Sequence, residues 1–293
     1  MKPAPFQYYA PQSLPEALDL LSQHGGDGKL LAGGQSLVPA MNFRLAQPSA
    51  LIDLNNVAEL FYVRSQAGIL QIGAMTRQRT LERSPAVTER APLLAATMPY
   101  IAHSQIRNRG TLGGSLAHAD PAAELPAVMV ALEAEFHLQS VHGRRTVSAA
   151  NFYQGLFTTA MEPDEILVQI DIPALPRGSG WSIQEFARRH GDYAIVGVAA
   201  MVRVEERRCT HARLIYLSVG EGPTPAPKAT AALIGRHPTT VALREAAKIA
   251  AHEDIEPLAD IHASVAYRRH LVEVLGRRAL EEAFARAGGA HHG

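Results

Sequence analysis

Two glycine pairs carry the clearest chemical signal in this 293-residue chain. The first lies in Leu31-Ala32-Gly33-Gly34-Gln35-Ser36-Leu37-Val38-Pro39, and the second in Thr111-Leu112-Gly113-Gly114-Ser115-Leu116 with the tail Asp120-Pro121-Ala122-Ala123-Glu124. Each pair ends an apolar run and precedes a helix start, so that bare backbone N–H groups can approach an anion that a Cβ would exclude. Ser36 falls near a helix N-cap, Asp120 reads as the N-cap of a helix over 122–132 with Pro121 in its first position, and Glu124 points back toward the second loop, where an acid can bond ribose or ribityl hydroxyls. One such loop alone is an ordinary turn or cap. Two of the same design point to one long ligand carrying two negative charges.

Other chemistries find no support. The chain has no G-x-x-x-x-G-K-[ST] and no G-x-G-x-x-G followed by an acid, which excludes the best-known phosphate and nicotinamide loops. Thirteen histidines invite a metal or hydrolytic reading, but H-E-x-x-H, G-x-S-x-G and zinc-spaced Cys/His patterns are all missing, and His103, His118 and His142 are scattered over loops and helix ends. The single cysteine, Cys209, rules out a disulfide framework or an all-cysteine iron–sulphur site built from this chain alone. Twenty-eight basic residues balance 28 acidic ones, an unfavourable composition for binding nucleic acid. No apolar run is long enough to span a membrane and the N-terminus has no secretory apolar segment, so a cytoplasmic location is expected.

The elements that position the loops alternate. Ser13-Leu14-Pro15-Glu16 is a capping box opening a helix that Gly25-Gly26 stops, Lys29 to Ala32 is a short strand, and 50–54 and 69–73 are two more. Helices are expected over 75–81 and 92–103, with Arg107-Asn108-Arg109 as a basic turn that either faces phosphate or is solvated. A hairpin over 136–147 and a strand over 165–172 complete the sheet. Pro173 to Gly180 is the best linker, and beyond it three strands (182–187, 194–205, 210–220) and two helices (240–253, 264–286) follow. In the last helix Tyr267, Leu271, Val274 and Leu275 share a face, and Arg268 and Arg269 read as solvated or partner-facing.

The two glycine motifs, with Arg188-Arg189-His190-Gly191-Asp192-Tyr193-Ala194-Ile195-Val196 and Tyr267-Arg268-Arg269-His270-Leu271, resemble the FAD-binding medium subunit of the molybdenum hydroxylases, in order and over nearly the whole chain. The resemblance implies an α+β protein: a two-subdomain α/β FAD-binding domain over 1–176 (about 1–55 and 56–176), then a smaller C-terminal domain over 177–293 with a three-stranded antiparallel sheet and helices. It implies non-covalent FAD held by Leu31, Ala32, Gly33, Gly34, Gln35, Ser36, Leu37, Ile101, Ala102, Thr111, Gly113, Gly114, Ser115, Glu124, Leu167 and Tyr193, with the amides of both glycine pairs on the pyrophosphate and the Tyr193 ring against the isoalloxazine. It further implies a large molybdenum-cofactor subunit, a small subunit carrying 2Fe-2S clusters, assembly as a dimer of heterotrimers, and a small-molecule electron acceptor. Two positions depart from the family pattern: Gln35 replaces a frequent histidine, removing one route of covalent flavin attachment, and Glu185 stands where a lysine is common. A self-sufficient FAD oxidase or reductase and a nucleotide-binding scaffold are the competing classes, separated from the first by co-purification with molybdenum and iron–sulphur subunits.

Overall fold

The computed structural model describes residues 2–289, so the expected domain ends at 1 and 293 lie outside the described residues. The first unit is a three-stranded parallel sheet of β1 (Gln7–Tyr9), β2 (Gly28–Leu31) and β3 (Ala50–Asp53), ordered β1-β3-β2. Helix α1 (Leu14–His24) makes the crossover from β1 to β2, with Ser13 Oγ accepting from the Glu16 amide as the capping box requires. Its buried face, Ala17, Leu18 and Leu21, packs on Ile52 and Leu54. Helix α2 (Leu37–Asn42) follows the first glycine pair.

The second unit is antiparallel, because its strands are joined by hairpins and returning loops. β4 (Val63–Gln66), β5 (Ile69–Gly73), β6 (Glu135–Ser140), β7 (Gly143–Ser148) and a later strand, Ile166–Ile172, form a sheet in which that later strand is central. It is buried at six of its seven positions, as a strand covered on both faces must be. Between β5 and β6 run α3 (Gln78–Arg83), α4 (Pro85–Arg90), α5 (Pro92–Thr97), α6 (Ser104–Arg109), α7 (Leu112–His118) and α8 (Glu124–Ala131), all short. After β7, α9 (Ala149–Phe152) leads to a small hairpin, β8 (Tyr153–Gly155) and β9 (Thr158–Thr159), and the central strand Ile166–Ile172 is β10.

Beyond the proline-rich linker come β11 (Ser179–Phe186), β12 (Val196–Glu205) and β13 (Arg208–Leu217), three long antiparallel strands with a two-residue edge, β14 (Thr224–Pro225). Helices α10 (Pro227–Ala231), α11 (Thr240–Ile249) and α12 (Val265–Gly289) complete the chain. One face of this sheet joins a core with α11 and α12 through Val198, Ala200, Tyr216, Leu243, Leu275 and Ala279. The other face, Ile183, Ala199, Met201, Ile215 and Leu217, shares a core with Leu93, Leu94, Leu125 and Met129 of the second unit. The sequence changes style at the linker, but the hydrophobic interior runs across it.

Candidate functional site

The first glycine motif leaves β2 at Leu31 and turns through Gly34, whose φ of +72° lies where side chains are rarely accommodated. Gln35 Nε2 donates to the Gly33 carbonyl at 2.9 Å and braces the turn. Ser36 is the N-cap of α2, and its hydroxyl makes no capping bond. Backbone pairing resumes only where Val38 N donates to Gly34 O and Ala40 N to Ser36 O. Among the described residues, therefore, the five consecutive N–H groups of Gly33, Gly34, Gln35, Ser36 and Leu37 have no protein acceptor. A run of free amides at a turn into a helix is a concave anion site.

The second motif is built differently from the expectation. Thr111 is the N-cap of α7 and its Oγ1 accepts from the Gly114 amide at 3.0 Å, so Leu112, Gly113, Gly114 and Ser115 are the first turn of a helix rather than a loop. The Gly113 amide donates to Ala74 O at 2.8 Å and that of Ser115 to Thr111 O at 3.3 Å. The amides of Gly113 and Gly114 thus have acceptors within the chain, and the pair packs against Ala74 and Ala32. Asp120 also differs: Ala119 ends α7 in the left-handed region, Asp120 Oδ1 accepts from Ala122 N at 2.9 Å in a turn, and α8 starts at Glu124 with Ala123 as its N-cap. The helix begins three residues later than Pro121 suggested, because Asp120 satisfies the turn rather than the helix end.

The two motifs lie against each other. A Cβ on Gly33 would sit 2.5 Å from Arg109 O and 2.8 Å from Gly110 Cα, and one on Gly114 would be 3.1 Å from Ala32 Cβ. Two residues absent from the sequence reading clamp this contact. Asn55 Nδ2 donates to Ala32 O at 3.0 Å, Arg77 Nη2 donates to Asn55 Oδ1 at 2.5 Å, and Arg77 Nη1 donates to the Arg109 carbonyl. The only local signal for Asn55 was its place just after a short strand, which marks a turn and nothing more specific.

Ile101 and Ala102 form a fixed segment beside the second motif. Ala102 has φ +43°, and Arg107 Nη1 binds the carbonyls of Ile101 and Ala102 at 2.8 and 3.2 Å. Arg107 also makes a two-point pair with Glu82 at 3.0 and 3.2 Å, and its hydrogen bond holds that carboxyl below its ordinary pKa. Arg107 is buried and structural, which replaces both the phosphate-facing and the solvated reading, and Arg109 alone of that pair is exposed. Leu167 is buried on β10 in the same hydrophobic cluster as Ile101, Leu112 and Leu116.

The loop between β11 and β12 closes the site from the C-terminal side. A Cβ on Gly191 would lie 2.9 Å from Ala102 O, so the loop docks on the Ile101–Ala102 segment. Tyr193 follows, an exposed residue whose phenol is raised above the ordinary value by burial and then by the charges of Asp120 and Glu124. Ser218 N donates to Pro121 O at 2.9 Å and ties β13 to the turn before α8. Arg268, expected to be solvated or partner-facing, is buried: it donates to the carbonyls of Ile195 and Ser218 and pairs with Asp260, whose carboxyl, against the opposing effect of burial, is held at about 2 by Arg268 and the amides of His262 and Ala263. Glu124, 7 % exposed, is pushed up to about 7, first by burial and then by Asp120, its own backbone amide opposing.

The donor set suits a dinucleotide: an amide run for phosphate, hydroxyls of Ser36 and Ser115 and the Glu124 carboxyl for hydroxyl groups, and an apolar wall at Ile101 and Leu167. Residues 4–175 match the family model described as the FAD binding domain in molybdopterin dehydrogenase, and 181–283 match the CO dehydrogenase flavoprotein C-terminal domain. The 6-hydroxypseudooxynicotine dehydrogenase complex subunit alpha of Paenarthrobacter nicotinovorans is 41 % identical over 98 % of this chain and 97 % of its own length. The carbon monoxide dehydrogenase medium chain of Hydrogenophaga pseudoflava is 40 % identical, covering 98 % and 99 %. Among solved structures, carbon monoxide dehydrogenase from H. pseudoflava superposes with a TM-score of 0.95 at 42 % identity over 98 % of this chain and 99 % of that one. Quinoline 2-oxidoreductase from Pseudomonas putida 86 gives 0.93 at 40 % over the full length of both.

Proposed function

The chain belongs to the FAD-binding medium subunits of the molybdenum hydroxylases, and we propose from that premise that its two glycine motifs hold FAD non-covalently at the junction of three structural units. It is the flavoprotein subunit of a multi-subunit oxidoreductase with a large and a small partner. The observation that carries the site is the run of five acceptor-free amides from Gly33 to Leu37, set against the second motif through contacts that leave no room for a Cβ.

In this reading the Gly33 to Leu37 amides take the pyrophosphate, since bonds to an ionised oxygen are about twice as strong as neutral ones. Ser36, Ser115 and Glu124 bond hydroxyls and phosphate oxygens. Thr111, Gly113 and Gly114 keep the motifs in contact, Ala32 and Leu31 lead the chain into the turn, and Ile101, Ala102, Leu167 and Tyr193 line the ring end. FAD, when bound, supplies the redox chemistry that couples the molybdenum cofactor and 2Fe-2S clusters of the partner subunits to a small-molecule acceptor. The protein contributes position, exclusion of water and electrostatics, and no side chain need act as acid or nucleophile. The working assembly is a dimer of heterotrimers in the cytoplasm; no helix among the described residues is long and apolar enough to cross a membrane. The division at 176/177 separates two functions: residues before it bind the cofactor, and residues after it cover it.

Gln35 offers no histidyl attachment chemistry, so acid precipitation of the purified complex should release all yellow chromophore into the supernatant. Flavin retained on the pellet would contradict non-covalent binding, and a colourless complex would contradict the site itself.

A further inference from the structure

The two arginines of the basic run ahead of the second motif have opposite fates. Arg107 is buried and spent on Glu82 and on the carbonyls of Ile101 and Ala102. Arg109 is exposed, and among the described residues its guanidinium makes no hydrogen bond or ion pair. Its backbone, by contrast, is pinned. The Arg109 carbonyl accepts from Arg77 Nη1, Gly110 N donates to Ile106 O at 2.7 Å, and Gly110 O accepts from Gln78 N at 2.9 Å. That carbonyl is also the atom against which Gly33 packs. A side chain free at its tip and fixed at its root thus stands beside the first of the five acceptor-free amides, Gly33 to Leu37.

The charge around this junction does not balance. Arg77 bridges the same two segments, and both of its terminal nitrogens bond neutral oxygens, those of the Asn55 side chain and the Arg109 main chain. Its guanidinium is lowered below the ordinary value first by burial and then by the charge of Arg109, with Asp53 opposing. Asp53, at the end of β3, already accepts from the Tyr8 hydroxyl, the Asn55 amide and Asn55 Nδ2. Of the other cations on the neighbouring elements, Arg79 is spent on Glu82, Arg44 donates to Lys2 O, and Lys29 on β2 is exposed. Two arginines set side by side repel, and amide dipoles opening into the same space add to the positive potential. An anion of two charges turns that excess into attraction.

We propose that Arg109 is the cationic half of the pyrophosphate site, its guanidinium supplying the charge for the anion that the Gly33 to Leu37 amides bind. The proposal rests on the reading that those amides take the pyrophosphate of FAD. The amides of Gly113 and Gly114 have acceptors within the chain, so the charge that the second motif brings to phosphate comes from the arginine ahead of it. Guanidinium suits the task, because its planar fork of N–H groups matches two phosphate oxygens and it stays charged at any working pH. Arg77 and Arg109 then divide the work: the first holds the motifs together, and the second meets the ligand.

The test uses the full-length chain freed of flavin, with FAD affinity followed by the change in flavin fluorescence at about 20 mM and about 300 mM salt. Arg109→Gln should weaken FAD about tenfold at the lower salt, the factor that one hydrogen bond to a charged group contributes at the low end of its range. Its affinity should also respond less to salt than that of wild type, because the screened interaction is gone. Arg109→Lys, which keeps the charge and loses the fork, should recover part of the affinity and the wild-type salt response. The thermal midpoint of FAD-free Arg109→Gln should equal or exceed that of wild type, since one of two repelling cations is removed, whereas loss of a packing role would lower it. Wild-type affinity in Arg109→Gln at both salts, or affinity lost together with a lowered FAD-free midpoint, would overturn the proposal while leaving the amide site standing. Failure of the folded wild-type chain to bind FAD at either salt would overturn both.

Discussion

Gly33→Ala should disable the cofactor site through packing before any contact with cofactor is considered. The added Cβ would lie 2.5 Å from Arg109 O, 2.8 Å from Gly110 Cα and 3.0 Å from Arg109 C, where ordinary contact begins at 3.4 Å. The opposing atoms are backbone, so no side chain can rotate away, and the motifs must part by roughly 0.9 Å, an overpacking that costs about 1–3 kcal/mol. In a protein of this size each kcal/mol is worth about 2–4 °C, so the FAD-free thermal midpoint should fall by about 2–12 °C. The same opening displaces the amide run, and the variant should purify with little flavin, read as the ratio of visible to ultraviolet absorbance. Ligand at a hundredfold over Kd adds about 2.7 kcal/mol of stability to wild type; Gly33→Ala should gain much less from the same FAD. Gly34→Ala is the control: its φ of +72° strains any L residue by about 1–2 kcal/mol, but its Cβ meets only the side-chain ends of Leu31 and Val38. A Gly33→Ala protein with full flavin content and an unshifted midpoint would refute the claim that the motifs touch so closely.

Three further outcomes follow from the clamp, the buried ion pair and the exposed ring. Asn55→Ala leaves Ala32 O and Arg77 Nη2 without their partner while Arg77 Nη1 keeps the Arg109 carbonyl, so it should cost about 1–3 kcal/mol in urea unfolding and lower flavin content. Arg107→Met leaves Glu82 with Arg79 as its remaining partner and deprives the Ile101 carbonyl of its donor, and should cost about 1–3 kcal/mol at neutral pH. Because Arg107 holds the Glu82 pKa down, its stabilisation is present above the ordinary carboxyl value and lost as pH falls through the lowered one, so the variant should lose less on acidification than wild type. Tyr193→Ala should raise reoxidation of the reduced complex by bulky acceptors or oxygen while leaving reduction by substrate and FAD content near wild type; stopped-flow measurement of the two half-reactions would expose a mere packing role as unchanged reoxidation with loss of flavin.

The parts of this fold that could be read from sequence are those set by local grammar. Ser13 capped its helix while Glu16 reached back to the Gln12 amide instead of closing the capping box on Ser13, the 136–147 hairpin formed around His142-Gly143, and Gly33-Gly34 made the turn its composition demanded. Glycine spacing alone does not separate a turn from a helix start, and for Gly113-Gly114 the difference lay in Thr111, whose hydroxyl caps α7, and in Ala74, whose carbonyl takes the Gly113 amide across 39 residues of sequence. Arg107 and Arg268 misled for a related reason. An arginine's charge predicts solvent unless carbonyls and a carboxylate converge on it, and those partners, Ile101, Glu82, Ile195, Ser218 and Asp260, come from separate segments. Asn55 and Arg77 left no periodic or compositional trace because their work is to bridge elements.

The shared interior explains why the C-terminal region belongs to the cofactor site despite following the linker. β12 is buried over its first seven residues because it is packed from both sides, by α11 and α12 on one face and by the second unit on the other. A sheet gripped in this way holds its loops in register with whatever it covers. That register places Gly191 on Ala102 and Ser218 on Pro121, two contacts around one rim. Phosphate recognition sits in the first two units, where free amides can be preorganised on a rigid turn. In the proposed site the ring end falls to the third unit, where the exposed Tyr193 can be changed without disturbing the free amides of the first motif. The separation leaves the amide turn fixed by the first two units while side chains on the third unit can change around it.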